Sequence, residues 1–268
     1  MQRFKIWAET HPIVFGLVIT IAYILALIGA TMLSAVWPGA AGSGFGSPGG
    51  MLGRILAIGL FLAVLYRFGW LRPAGFASPG SWRTWLVTLL LAVFAVLASA
   101  YALAGGLDFR SVFPTLTGPV ILFILVAAFL EEVVFRGLVL HGFVRAWDGT
   151  GRGLVQGILA AALFFASIHL FDFLSGRPLP GVLMQSLAAI ILGIFLGALV
   201  VGGSSIYPAF FFHGVLNLAG YLIIGNQGVE PSPSAWLLLG LLILPLAVFG
   251  VVLLGTRLTR PTSLSTAR

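Results

Sequence analysis

The sequence predicts an all-α fold, a polytopic membrane helical bundle of about eight transmembrane helices around a polar intramembrane cavity. Three observations carry that expectation. Of 268 residues, 60% are hydrophobic and only 8% charged, whereas soluble domains carry about 25% charged residues. The mean hydropathy is +1.12. Apolar runs recur along the chain at the length of about 20 residues that a helix needs to cross a bilayer core.

The first run, 12–36, is too long for a signal-peptide core and lacks a small-residue cleavage site, so it reads as a span. The segment "PGAAGSGFGSPGG" that follows it reads as a flexible loop. Spans are then expected over 51–71, 84–105, 119–140, 153–174, 181–202 and 205–225. The turn-rich "NQGVEPSPS" precedes the last, 234–256. No stretch between spans is long enough to fold separately, so residues 1–268 read as one domain with a motif-bearing core at 119–220.

Charge placement supports this count. Lys and Arg number 14 against 7 Asp and Glu, a formal net charge of +7. In a soluble protein that excess points to nucleic acid; here the basic residues sit between apolar runs, and the expected partner is the bilayer, not nucleic acid. With eight spans and a cytoplasmic N-terminus, one side collects Arg3, Lys5, Arg67, Arg72, Arg83, Arg145, Arg152, Arg257, Arg260 and Arg268. The other keeps Arg54, Arg110 and Arg177, so both termini are expected to face the cytoplasm. The bias of Arg over Lys, with abundant Ala and Gly, fits a GC-rich bacterial genome and hence a bacterial cytoplasmic membrane. Cysteine is absent, which excludes disulfides, thiolate metal sites and cysteine nucleophiles.

Against this background "FLEEVVFRGLVL" stands out, with Glu131, Glu132 and Arg136 inside the fourth run. Each charge at a helix centre in lipid costs about 2.5–3.5 kcal/mol. Glu132 and Arg136 are at i and i+4, on one helix face, and an ion pair there relieves both. Glu131 is rotated by about 100° and is left for another partner. The fifth run has Phe165 and His169 at i and i+4, and the seventh has His213 and Asn217 at the same spacing. The remaining histidines, His11 and His141, fall near span ends. Polar groups on separate helices in lipid converge because each needs a partner. Glu131, His169, His213 and Asn217 together supply a carboxylate base, imidazoles and hydrogen-bond donors, the parts of a hydrolase. No serine lies beside the histidines in a nucleophile-elbow motif, so water activated by Glu131 is the economical nucleophile.

These residues resemble a known family. "EEVVFR" fits EExxxR, "FASIH" fits FxxxH and "HGVLN" fits HxxxN, in the order of the CAAX-protease and bacteriocin-processing (CPBP) family of intramembrane proteases. The resemblance covers about 119–220 and implies an intramembrane endopeptidase acting on a membrane-associated, for instance prenylated CAAX-type, protein or peptide. It implies that Glu131 and His169 activate water, that His213 and Asn217 form the oxyanion hole, and that Glu132 and Arg136 orient the site, with Phe165 completing the second motif. Gly193 and Gly197 in "LGIFLGALV" have the small-xxx-small spacing of close helix packing.

Two questions stay open in the sequence. Members of the family are often labelled metalloproteases, and Glu131, His169 and His213 have the composition of a zinc set. No HExxH motif is present, and a His213 used on the oxyanion is poorly available to a metal, which favours a metal-free site. The second question is depth. Counted at about 1.5 Å per residue, His169 lies farther across the membrane than Glu131 and His213, unless its helix starts outside the bilayer, tilts or breaks. A rival reading makes the polar cluster an ion- or peptide-binding site of a transporter or bacteriocin-immunity scaffold, but no internal repeat of the transporter kind is visible.

Overall fold

The computed structural model describes residues 2–39, 46–104, 116–147 and 151–224, with parts of 237–252. The described residues form helices and contain no β-strand. A short helix α1 (Gln2–Thr10) leads into α2 (Pro12–Val36), α3 (Pro48–Phe68) and α4 (Trp82–Ala104). Then follow α5 (Gly118–Ala146) and α6 (Gly151–Ser175), each of mixed helical geometry, and the α-helices α7 (Leu179–Gly203) and α8 (Tyr207–Ile224). Helices α2, α3, α5, α6 and α7 are each long and apolar enough to cross a membrane. The protein is a polytopic helical integral membrane protein. The expected eighth span, 234–256, lies largely outside the described residues.

The local sequence explains the helix ends. Helices α2, α3, α5 and α7 each carry proline at their first or second position, where the missing N–H is not needed. Ser47 caps α3, its hydroxyl accepting from Gly50 N at 3.3 Å. The helix therefore starts at Pro48, so the end of the glycine-rich stretch belongs to α3. Gly69 stops α3 in the left-handed region, at φ 68°. Residues 2–10, ahead of the first expected span, form α1, tied to the end of α5 by an Arg145 Nε–Glu9 Oε1 ion pair of 2.7 Å.

Packing follows the rules of lipid, where close approach of backbones replaces hydrophobic burial from water. A Cβ on Gly193 of α7 would lie 2.8 Å from Ala162 Cβ of α6, and one on Gly197 would lie 3.2 Å from Ile158 Cγ2. Gly53 of α3 abuts Ala30 of α2 in the same way. Leu25, Met32, Leu56 and Leu90 point outward, as lipid-facing side chains should. Phe15, Phe61, Phe135, Phe165, Phe195 and Phe212 fill the interior.

Helix α5 is the hub, touching α2, α3, α6, α7 and α8. It is α-helical over Gly118–Glu131, widens to a π-helix over Glu132–Leu140, and returns to α over His141–Ala146. The sequence reading assumed an α-helix ending at residue 140. Wider π turns are frequent at functional sites, and this one begins at Glu132. Every residue of the π segment is buried, so neighbouring helices on all sides hold the wider turn in place. Helix α6 changes too, from α over Gly151–Ser167 to 3-10 over Ile168–Ser175, where Gly176 (φ 87°) ends it. His169 stands one residue past that change, so the α geometry of its helix breaks just before it.

Candidate active site

The buried end of the site is an ion pair. Arg136 Nη1 donates to Glu132 Oε1 at 2.8 Å, with the Glu132 side chain fully buried and Arg136 2% exposed. The π turn carries both groups on one side of α5. Arg136 Cζ also lies 4.4 Å from the centroid of the Phe165 ring, so the second motif's aromatic covers the cation. From α8, the His213 ring reaches the same carboxylate, Nδ1 to Glu132 Oε1 at 2.8 Å. An ionised carboxylate only accepts, so His213 carries a proton on Nδ1 and turns its Nε2 edge toward Glu131. Nε2 is 3.4 Å from Glu131 Oε2, within ion-pair range but not a hydrogen bond.

Glu131 differs from its neighbour. Its side chain keeps 15% exposure, and Tyr23 of α2 donates its hydroxyl to Glu131 Oε1 at 3.1 Å. Tyr23 is itself 2% exposed and packs edge-on to Phe135 at 5.4 Å. The two adjacent glutamates thus separate, one locked under Arg136 and His213, the other held lightly and open.

His169 takes a different set of partners. Gln185 of α7 bridges it to a surface pair: Arg177 donates to Asp172 Oδ2 at 2.7 Å and to Gln185 Oε1, and Gln185 Nε2 lies 2.9 Å from His169 Nδ1. With its oxygen taken by Arg177, the Gln185 amide presents Nε2–H to the ring. His169 Nδ1 is therefore the acceptor, and its proton is on Nε2. The Phe165 ring stands edge-on to both histidines, 5.4 Å from His169 and 5.7 Å from His213.

The structure thus brings Glu131, Glu132, Arg136, Phe165 and His213 into one contiguous cluster, with His169 joined through the Phe165 ring. Asn217, one turn beyond His213, is half-buried and lies outside the hydrogen-bonded set. Sequence reasoning missed Tyr23 and Gln185. Each is a lone polar side chain in an apolar run, without a motif to set it apart from ordinary packing residues.

The zinc set, Glu131, His169 and His213, is not gathered as one ligand group. Among the described residues no three His, Asp or Glu side chains converge as metal ligands. His213 turns both ring nitrogens to carboxylates, and His169 Nδ1 is taken by Gln185.

A helical membrane protein with buried carboxylates, an arginine and histidines gathered from α5, α6 and α8 has the composition of an intramembrane hydrolase. Residues 113–219, about two-fifths of the chain and all seven motif positions, match the family described as type II CAAX prenyl endopeptidase Rce1-like. That match is consistent with a CPBP family protease and supports an intramembrane endopeptidase. No curated protein and no solved structure matches the chain.

Proposed function

We propose that the protein hydrolyses a peptide bond in a membrane-associated, CAAX-type protein or peptide, using water activated at Glu131. The observation that carries this reading is the His213 ring bracketed by two unlike carboxylates, Glu132 at 2.8 Å and Glu131 at 3.4 Å. Glu132, neutralised by Arg136, orients the imidazole as a carboxylate orients the histidine of a hydrolytic triad. Glu131 is the accessible base. It takes a proton from water as the water oxygen bonds to the scissile carbonyl carbon. The carbonyl π electrons move onto oxygen, where Asn217 donates to the oxyanion together with the Nε2–H of a doubly protonated His213 whose Nδ1–H stays on Glu132. Glu131 then delivers its proton to the leaving amine as the C–N bond breaks. His169, with Nε2–H as its free donor, holds the water by donating to its oxygen and leaves the proton transfer to Glu131.

The test is cleavage of a fluorescent S-farnesylated CAAX peptide by purified protein in bicelles. Wild type should release one C-terminal fragment by mass spectrometry, and Glu131→Gln should release none while remaining monodisperse. Full activity in Glu131→Gln would sink the mechanism. Elemental analysis of the active preparation checks the metal question separately, since stoichiometric zinc would contradict the ligand geometry. We further propose a bacterial cytoplasmic membrane location with both termini inside, on the charge asymmetry of the loops; reporter fusions at each terminus test it.

A further inference from the structure

We propose that Arg54 binds the free C-terminal carboxylate of the peptide held at Glu131. This rests on the endopeptidase reading above and adds to it a recognition site for the end of the substrate. Arg54 lies inside the span α3, six residues from its start, or about 9 Å along the helix. An arginine at such a depth needs an anion or a route to water. Among the described residues Glu9, Glu132 and Asp172 are each ion-paired to another arginine. Among the described residues Arg54 has no such partner. Its Nη1 donates to Gly50 O of its own helix at 3.1 Å, its Cζ stacks 4.1 Å from the Phe123 ring centroid, and its Nε is buried without an acceptor.

The position is informative. Phe123 precedes Glu131 by eight residues on the α-helical part of α5, a rise of about 12 Å. Arg54 is close enough to Tyr23 and Glu131 to interact with them electrostatically. An extended peptide advances about 3.3 Å per residue. A chain whose end carboxylate meets the planar guanidinium therefore places a bond about three or four residues upstream beside Glu131. The guanidinium's donors match a carboxylate in bidentate fashion, which a lysine cannot reproduce.

The experiment measures equilibrium binding of the fluorescent S-farnesylated CAAX peptide, as free acid and as C-terminal amide, to Glu131→Gln protein in neutral-lipid bicelles. Binding is thereby read apart from cleavage. The acid should bind about 10–100-fold tighter than the amide. Adding Arg54→Gln should abolish that preference and leave amide binding unchanged, and Arg54→Lys should retain part of it. Equal binding of acid and amide, or a preference that survives Arg54→Gln in folded protein, overturns the proposal. So does an Arg54 effect that appears only when phosphatidylglycerol is added, which would make Arg54 a lipid-headgroup site. Failure of wild type to cleave either peptide while the acid preference holds would count against the hydrolytic reading alone.

Discussion

His213 on α8 and Glu132 on α5, 81 residues apart in sequence, are joined by a 2.8 Å hydrogen bond to the same carboxylate oxygen that receives Arg136. One oxygen thus ties two helices and a buried cation together, while Glu132 Oε2 and Arg136 Nη2 stay buried without partners. Removing the carboxylate alone strands a positive charge. Glu132→Gln is expected to destabilise the protein by about 3–5 kcal/mol, the usual cost of breaking a buried ion pair. The double change Glu132→Leu with Arg136→Met removes both charges and should recover at least half of that loss. Unfolding in detergent measures both, and a double variant no better than the single one would refute the pairing. Neither variant should cleave peptide, because His213 has lost its orienting acceptor.

Tyr23 provides a second test. Its hydroxyl donates to the open glutamate at 3.1 Å from a helix outside the three motifs. Hydrogen bonds to charged groups contribute about 1.5–3 kcal/mol. Tyr23→Phe keeps the ring packed on Phe135 and is expected to lower kcat about ten-fold or more with little change in thermal stability. An unchanged kcat would remove Tyr23 from the site.

The six polar motif residues were legible because charge and amide groups inside apolar runs are costly enough to stand out one at a time. Their partners were not. Tyr23 and Gln185 acquire meaning only through contacts made from α2 and α7, and no spacing rule connects Tyr23 to Glu131. The helical character of the spans followed from hydropathy, which depends on composition. The π turn at Glu132 and the 3-10 turn at Ile168 depend on tertiary packing, since the apolar pattern of each run continues unbroken through both. The i, i+4 pairing of Glu132 with Arg136 survived that change because a wider turn still keeps residues four apart on nearly one side.

Gln185 tests the assigned proton on His169. Gln185→Leu frees the ring to change tautomer, and Gln185→Glu makes the partner an acceptor, drawing the proton to Nδ1. Both are expected to lower kcat about 10–100-fold with KM nearly unchanged. Nitrogen-15 spectra of histidine-labelled protein should show His169 protonated on Nε2 in wild type and on Nδ1 in Gln185→Glu. An Nδ1–H tautomer in wild type would contradict the hydrogen-bond chain from Arg177.

The α6–α7 contact decides how accurately His169 is held. A Cβ at Gly193 meets Ala162 Cβ at 2.8 Å and its Cα at 2.9 Å, closer than real Cβ contacts come, and the obstacle is largely backbone. Gly193→Ala must therefore push the two helices apart and is expected to cost about 1–3 kcal/mol, the range for overpacked interiors. The same displacement stretches the 2.9 Å Gln185–His169 bond, because Gln185 lies on α7 and His169 on α6. Activity should fall together with stability. Adding Ala162→Gly removes the Cβ contact but leaves the Ala162 Cα at 2.9 Å, so the double variant should recover only part of both. Recovery of stability without recovery of kcat would show that this contact supports the fold but does not align His169.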